Sequence, residues 1–222
     1  MTNGIDISHW NGEIDFNKVK ASGVDFVIIK AGGSDYGFYT DKMFKANYEK
    51  AKAAGLNVGA YYFVGKRFRG ADAGKAEAQR FIKIIEGMQF EYPVFVDIET
   101  TPAQLREETT DAAIAFCEVM EDAGYFVGIY ASDISGFKEK LILSDLTTYT
   151  LWVARYGSAP SYVKDWHIWQ QSSKGCVPGI SGSVDLDESK EDYSLIMKKK
   201  GFNGFPKPEK KKAKKAQKEV NE

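Results

Sequence analysis

Tyr92-Pro93-Val94-Phe95-Val96-Asp97-Ile98-Glu99-Thr100 reads as a buried strand that ends in two acids. Proline opens it, where a missing N–H costs little. Strand side chains alternate, so Val94, Val96 and Ile98 share one face while Phe95, Asp97 and Glu99 share the other. At about 3.3 Å per residue, the Cα atoms of Asp97 and Glu99 stand roughly 7 Å apart. Two acids this close repel, and a partly dry site raises the pKa of the more buried one. A proton donor beside an anion is what cleavage of a glycosidic bond requires. The plain alternative is a strand end with two solvated acids, and only geometry separates the two readings.

Outward from this strand the chain alternates. Gly4 to Ser8 reads as a first strand with Asp6 near its end, followed by a turn at Asn11-Gly12. Asp15 to Ala21 is a short helix stopped by Gly23. Val24 to Ala31 is apolar until Lys30, as suits a strand covered on both faces. Thr40 caps a predicted helix through Ala54, and Asn57 to Val64 is a third strand. Helices are predicted over Asp72–Met88 and Thr110–Ala123, with a loop or short turn of helix over Pro102–Glu108. Tyr125 to Ala131 is a fifth strand and Ser132 to Leu143 a short helix. Beyond that point helices fade: Thr150–Ala154, Trp166–Gln171 and Ser183–Asp187 read as strands joined by loops. Five strand–helix units followed by three strands imply parallel strands with right-handed crossovers. An open sheet would also fit. Acids and aromatics at the carboxyl ends of the first, fourth and last strands favour a TIM-like α/β barrel, because closure collects distant strands at one mouth.

Composition narrows the function. The 222 residues are 43% hydrophobic, with 14 Phe, 12 Tyr and 4 Trp, enough for a sizeable core. The net charge of −1 gives no bias toward nucleic acid or membrane. Residues 207–222 hold seven Lys against three Glu, which leaves the first 206 residues at −5. Cys117 and Cys176 suggest no disulfide framework, and Cys117 fits an apolar helix face. His9 and His167 lack metal-site spacing, so no metal and no cofactor are expected. No apolar run approaches the ~20 residues of a membrane span, and no secretory leader is read at Met1. Three accounts of that start remain: cytoplasmic work, a leader already removed, or another route out of the cell. There is no G-x-G-x-x-G after the first strand, no P-loop and no G-x-S-x-G elbow, which argues against nucleotide binding and serine hydrolysis.

Eight segments in order carry a resemblance: Gly4-Ile5-Asp6-Ile7-Ser8 with Asn11-Gly12, Phe26–Ala31, Ala54–Phe63, Val96–Glu99, Val127–Tyr130, Leu151–Tyr156, Trp169-Gln170 and Val184–Asp187. Over residues 3 to 197 the chain resembles glycoside hydrolase family 25, the Chalaropsis-type lysozymes, many of them phage endolysins. The resemblance implies a barrel of five β/α units followed by three strands. It also implies hydrolysis of the β-1,4 bond between N-acetylmuramic acid and N-acetylglucosamine in bacterial peptidoglycan. By position, Glu99 is implied as general acid, Asp97 as its partner, and Asp6 and Asp185 as further pocket acids. Asp97 is either a nucleophile or the group that orients the substrate's own acetamido group. Tyr61, Tyr130, Trp152 and Trp169 fall near carboxyl ends of strands, where they either stack on sugars or fill the barrel. Gln170 either binds an N-acetyl or hydroxyl group or is structural. Two departures stand out. Tyr62 replaces the usual His, and Gly32-Gly33 replaces a Thr-Glu-Gly run; both are expected to alter subsite shape.

The expected organisation is a catalytic barrel over 1–200 and a linker with a Lys-rich tail over 201–222. The tail is either a solvated segment, a tether to anionic wall polymers or the start of a linker to a wall-binding module. The absent leader and basic tail fit an endolysin made in the bacterial cytoplasm and acting on the wall after release. The alternatives are a chitinase-like glycosidase, disfavoured because no D-x-x-D-x-D-x-E run precedes Asp97, and a sugar-binding barrel without catalysis, disfavoured by the presence of Glu99.

Overall fold

In the computed structural model, residues 1–208 are described. The Lys-rich segment from Lys210 to Glu222 lies outside the described residues. Nine strands form one sheet: β1 (Thr2–Ile7), β2 (Phe26–Gly33), β3 (Tyr39–Thr40), β4 (Asn57–Phe63), β5 (Val94–Asp97), β6 (Val127–Ser132), β7 (Thr150–Ala154), β8 (Ile168–Gly175) and β9 (Val184–Ser189). Eight of them close into a barrel in the order β1-β9-β8-β7-β6-β5-β4-β2, and β1 pairs with β2 to complete the ring. The two-residue β3 hangs on the end of β2. All barrel pairings are parallel except those of β9, which runs against both β8 and β1.

The helices are α1 (Phe16–Ala21), α2 (Phe44–Ala53), α3 (Gly70–Ile85), α4 (Arg106–Asp122) and α5 (Tyr193–Lys200). After β6 the expected helix is reduced to one wide turn over Asp133–Lys138. The predicted Thr40 cap is not used: Thr40 sits in β3, and the Asp41 carboxylate accepts from the Met43 N–H ahead of α2. Helix α4 starts at Arg106, four residues before the predicted Thr110.

Strand alternation divides the barrel into two apolar layers. Ile5, Ile7, Val27, Ile29, Val58, Val94, Val96, Ile98 and Ile129 point outward under the helices. Phe26, Ile28, Tyr61, Phe95, Tyr130, Trp152 and Ile168 fill the interior. The expected parity of the β5 strand therefore holds through Asp97. Each of these large side chains contributes roughly 1.5–3 kcal/mol through burial. Gly128 faces inward, where an added Cβ would stand 2.5 Å from the Phe95 ring; its missing side chain is what lets that ring occupy the centre. Cys117 is buried on α4, as its apolar setting implies.

The base of the barrel is closed by residues that composition alone does not mark. Tyr193 and Met197 of α5 are buried against the interior cluster, and the Tyr193 ring lies 5.5 Å from that of Tyr92. The chain then turns at Gly201 into Asn203, which is fully buried at φ 53°. Its side chain accepts from the Phe126 N–H at 2.7 Å and donates to the Tyr92 carbonyl at 2.8 Å. The stretch Gly201–Phe205, which opens a segment linker-like by its glycines and prolines through Pro208, is thus packed into the barrel floor. Here the glycines serve tight turning, not looseness.

Replacing Asn203 by Ala strands two buried backbone groups and should cost about 2–4 kcal/mol. Denaturant midpoints of the wild type and the variant measure this. A loss under about 0.5 kcal/mol would mean that the segment does not seal the floor.

Candidate active site

At the carboxyl ends of the parallel strands a cavity of about 180 Å³ opens, lined by Asp6, Lys30, Tyr61, Asp97, Glu99, Tyr130, Trp152, Gln170 and Asp185 among others. Of the nine residues singled out from the sequence, all but Trp169 meet there. A second hollow of about 320 Å³ continues past Glu99, Tyr130 and Tyr156 toward Ser132, Ser135 and Lys140.

The acids arrive from three directions. Asp6 comes from the end of β1, while Asp97 ends β5 and Glu99 follows two residues beyond. Asp185 lies at the amino end of β9, not at a carboxyl end as expected. It reaches the same mouth because β9 runs antiparallel, and in register it stands opposite Asp6.

Their surroundings differ sharply. Asp97 is 3% exposed, and its Oδ1 accepts no hydrogen bond from the described residues. Burial pushes its carboxyl well above the usual range, the Glu99 charge adds to this, and Lys30 opposes it. Glu99 stands exposed at the rim. Partial enclosure raises its carboxyl, while Lys30, Lys140 and the Tyr130 hydroxyl pull it back. Of the two, Asp97 is the deeper acid, and the Glu99 charge perturbs it. Asp185 is raised to about 6 by burial and then by Glu99.

Asp6 belongs to a hydrogen-bonded chain. Its Oδ2 accepts from Gln170 Nε2 at 2.7 Å, and Gln170 Oε1 accepts from the Tyr130 hydroxyl at 2.9 Å and the Tyr156 hydroxyl at 3.2 Å. Gln170 is 3% exposed, so its amide orients the wall of the cavity from within. Burial, then the charges of Asp187 and Asp185, push Asp6 well above the ordinary carboxyl range.

Asp187 was not singled out from the sequence. It is 1% exposed and accepts from the Trp152 indole N–H at 2.8 Å, while its Oδ2 has no partner among the described residues. Burial pushes it up to about 8. Its signal was present: Asp185 and Asp187 are two apart on one strand, the same spacing that marks Asp97 and Glu99.

The aromatics sort by depth. Trp152 is 1% exposed and packed against Tyr130 at 4.4 Å, Phe95 at 5.1 Å and Tyr61 at 6.0 Å. It is cavity floor and barrel core, not a free stacking face. Tyr61 and Tyr130 are also largely buried. Trp169 points away from the interior and donates to the Arg155 carbonyl. The open rings are instead Trp10, 83% exposed, and Tyr156, 56% exposed, both on the cavity wall. Trp10 was given no part in the sequence reading. It is held by its neighbour His9, whose ring and N–H both bond the Asp41 carboxylate.

The two departures also resolve. Tyr62 points outward under α3, where its hydroxyl donates to Glu77 at 2.8 Å, so it does not shape the cavity. Gly32 serves the close approach of β3: a Cβ there would meet the Tyr39 carbonyl at 2.2 Å, and neither residue lines the cavity.

The rim loop is anchored from below. Asp133 accepts the N–H groups of Ser161, Tyr162 and Val163 and the Arg155 guanidinium. Burial works against its ionisation, but these donors win and hold it at about 2.

A closed barrel with several carboxyls of unequal proton affinity at one mouth defines a class: barrel enzymes that cleave by acid–base chemistry. Residues 5–180 match the sequence profile of glycosyl hydrolases family 25, and the chain belongs to that family. It is 35% identical over 189 residues to the autolytic lysozyme of Clostridium acetobutylicum, covering 85% of this chain and 56% of that protein. The chain therefore spans a little over half the length of that relative. Among solved structures, the CTP1L endolysin superposes with a TM-score of 0.77 at 30% identity, over 89% of this chain and 70% of that one. The modular autolysin LytC from Streptococcus pneumoniae, solved with a synthetic peptidoglycan ligand, superposes with a TM-score of 0.73 at 25% identity, over 84% and 46%.

Raised carboxyls bind more protons in the folded than in the unfolded chain between about pH 4 and their folded values, so stability falls as pH rises through that window. Melting temperature should therefore decline from about pH 4.5 to 8, with Asp187, at about 8, governing the upper part. Asp187→Asn keeps an acceptor for Trp152 and should flatten the decline above about pH 6. Calorimetry across this range checks it, and an unaltered slope would contradict the buried state of Asp187.

Proposed function

We propose that the chain is a peptidoglycan muramidase, hydrolysing the β-1,4 bond from N-acetylmuramic acid to N-acetylglucosamine. The observation that carries this reading is the convergence of Asp6, Asp97, Glu99 and Asp185 on one cavity in a chain of this family. The names of its relatives, a lysozyme and an endolysin, support the substrate class.

Glu99 is the general acid. It stands at the open rim, where a glycosidic oxygen can reach it, and its proton affinity is raised. Its proton goes to the leaving N-acetylglucosamine oxygen as the C–O bond to muramic acid breaks. Positive charge then develops at the anomeric carbon, and Asp97 supplies the negative group beneath it. Water delivers hydroxide to that carbon, and its remaining proton restores Glu99. The new reducing end is on muramic acid.

Asp6 and Asp185 bind substrate polar groups from the opposite wall, with Gln170 and Tyr130 fixing the donors there. Tyr61 shapes the floor with Trp152, and Trp10 and Tyr156 offer the ring faces on which sugars stack. The catalytic unit is residues 1–200 with the packed turn that follows. The Lys-rich tail contacts anionic wall polymers or leads to a wall-binding module. In its setting the protein acts on the bacterial cell wall, as an endolysin in phage lysis. No helix among the described residues is long and apolar enough to cross a membrane.

Glu99→Gln should lower the rate of clearing of a peptidoglycan suspension by at least ~100-fold with an unchanged fold. Mass spectrometry of the digest should find reducing ends on muramic acid. Ends on glucosamine, severed peptides, or full clearing by the variant would each refute the assignment.

A further inference from the structure

Beside the acid cavity lies a hollow of about 420 Å³, lined by Ser34, Asp35, Phe38, Lys66, Arg67 and Glu77 among others. It shares no lining residue with that cavity. Two loops build it, one following β2 and one following β4, so it opens at the same end of the barrel as the acids. The strands are parallel neighbours, and their loops are pressed together. Ser34 Oγ accepts from the Gly65 N–H at 3.0 Å, and a Cβ on Gly65 would stand 2.7 Å from the Ser34 carbonyl oxygen. Phe63 lines the acid cavity and Gly65 the hollow, so roughly 7 Å of extended chain separates the two.

We propose that this hollow binds the acidic stem peptide of peptidoglycan, the chain carried on the lactyl group of the muramic acid whose glycosidic bond is cut. The proposal rests on the muramidase reading above and adds to it a site for the part of the substrate that is not sugar.

Charge is the first argument. The first 206 residues carry a net −5, and the neighbouring cavity gathers four carboxyls. The loop after β4 reverses the sign, with Lys66, Arg67 and Arg69 close together. Lys66 and Arg67 are exposed, and among the described residues neither makes an ion pair or a side-chain hydrogen bond. Two cations that no carboxylate of the protein takes up stand ready for those of a ligand. Glu77, the acid of the floor, is already engaged: it accepts from the Tyr62 hydroxyl at 2.8 Å and pairs with Arg80 at 3.6 Å.

The other lining groups ask for a peptide. Asp35 Oδ1 is buried and has no partner among the described residues. Amide N–H groups are the donors such an oxygen needs, whereas a phosphate diester would offer it only acceptors. The Phe38 ring is 57% exposed and rests on the Arg80 guanidinium, whose carbon lies 3.0 Å from the ring centre. That stack holds the ring upright as a wall for methyl and methylene groups. Reach agrees as well. With muramic acid over Asp97, a peptide extending about 3.3–3.6 Å per residue crosses from the cavity to the hollow by its second residue. The hollow past Glu99 also contains a lysine, Lys140, but that ammonium donates to the Glu99 carbonyl. It lies beyond the general acid, on the side of the leaving glucosamine, which bears no stem.

The test compares kcat/KM on two substrates prepared from one batch of peptidoglycan freed of phosphate polymers. One is uncross-linked chains that keep their stems; the other is the same chains stripped of stems by an amidase. The wild type should favour the stem-bearing chains. Changing Lys66→Ala and Arg67→Ala together should lower kcat/KM on them roughly three- to tenfold, chiefly through KM, and leave the stripped chains cleaved as before. Higher ionic strength should erode the preference of the wild type in the same direction. A wild type without preference, or a variant that loses equally on both substrates, overturns the proposal. A loss confined to whole walls that retain phosphate polymers overturns it too, and gives the hollow to those polymers. Failure of the wild type to release muramic acid ends from either substrate would sink the muramidase reading and this proposal with it. Cleavage of both at equal efficiency would sink the stem site alone.

Discussion

Closure of the sheet by β9 is the constraint on which the site depends. A ring of seven parallel strands and one antiparallel strand forces every inward side chain into a shared, poorly hydrated interior. Burial then does to the carboxyls what no sequence neighbour could. Desolvation is the leading cause of the raised proton affinity of Asp6, Asp97, Glu99, Asp185 and Asp187 alike. Each is then adjusted by specific neighbours: Lys30 for Asp97, Lys30 and Lys140 for Glu99, Gln170 for Asp6 and Trp152 for Asp187. A common environment with individual corrections gives one mouth acids of several strengths.

The same closure fixes what surrounds the acids. Interior positions near the base are filled by Phe26, Tyr92 and Phe95 and sealed by Tyr193, Met197 and Asn203. The mouth is the open end, where Trp10 and Tyr156 stand exposed on the wall. Rigid packing below and open rings above are what a cleft for a stiff, polar polymer needs. The rim is tied down by two buried carboxylates, Asp41 holding His9 and Asp133 holding Ser161 to Val163. Both serve as buried hydrogen-bond acceptors that hold the rim loops in place.

Much of this was legible in the chain because it follows from local rules. Alternation placed Phe95 and Asp97 on one face and the valines on the other. Gly23 marked the end of the first helix. The ordered segments of the family resemblance placed Glu99, Asp6 and Asp185 in one pocket. What escaped was set by tertiary contact. Helix α5 is only eight residues long and earns its place by plugging the barrel, so its periodicity is too short to read. Gly201–Phe205 has the composition of a linker, and only the hydrogen bonds of Asn203 reveal a floor. The direction of β9 depends on pairing with two distant strands, and without it Asp185 is put at the wrong end of its strand. The depth of Asp97, the burial of Trp152 and the openness of Trp10 are likewise facts of packing.

The central claim is that one closed, poorly hydrated mouth gives its carboxyls separate proton affinities. The most direct measurement is a carbon-13 NMR titration of side-chain carboxyls in the labelled protein. The account predicts that Asp185 titrates near about 6 and Asp187 near about 8, with Asp97 and Glu99 also displaced upward from the exposed acids. Titration of all these groups together near about 4, as in model peptides, would contradict it.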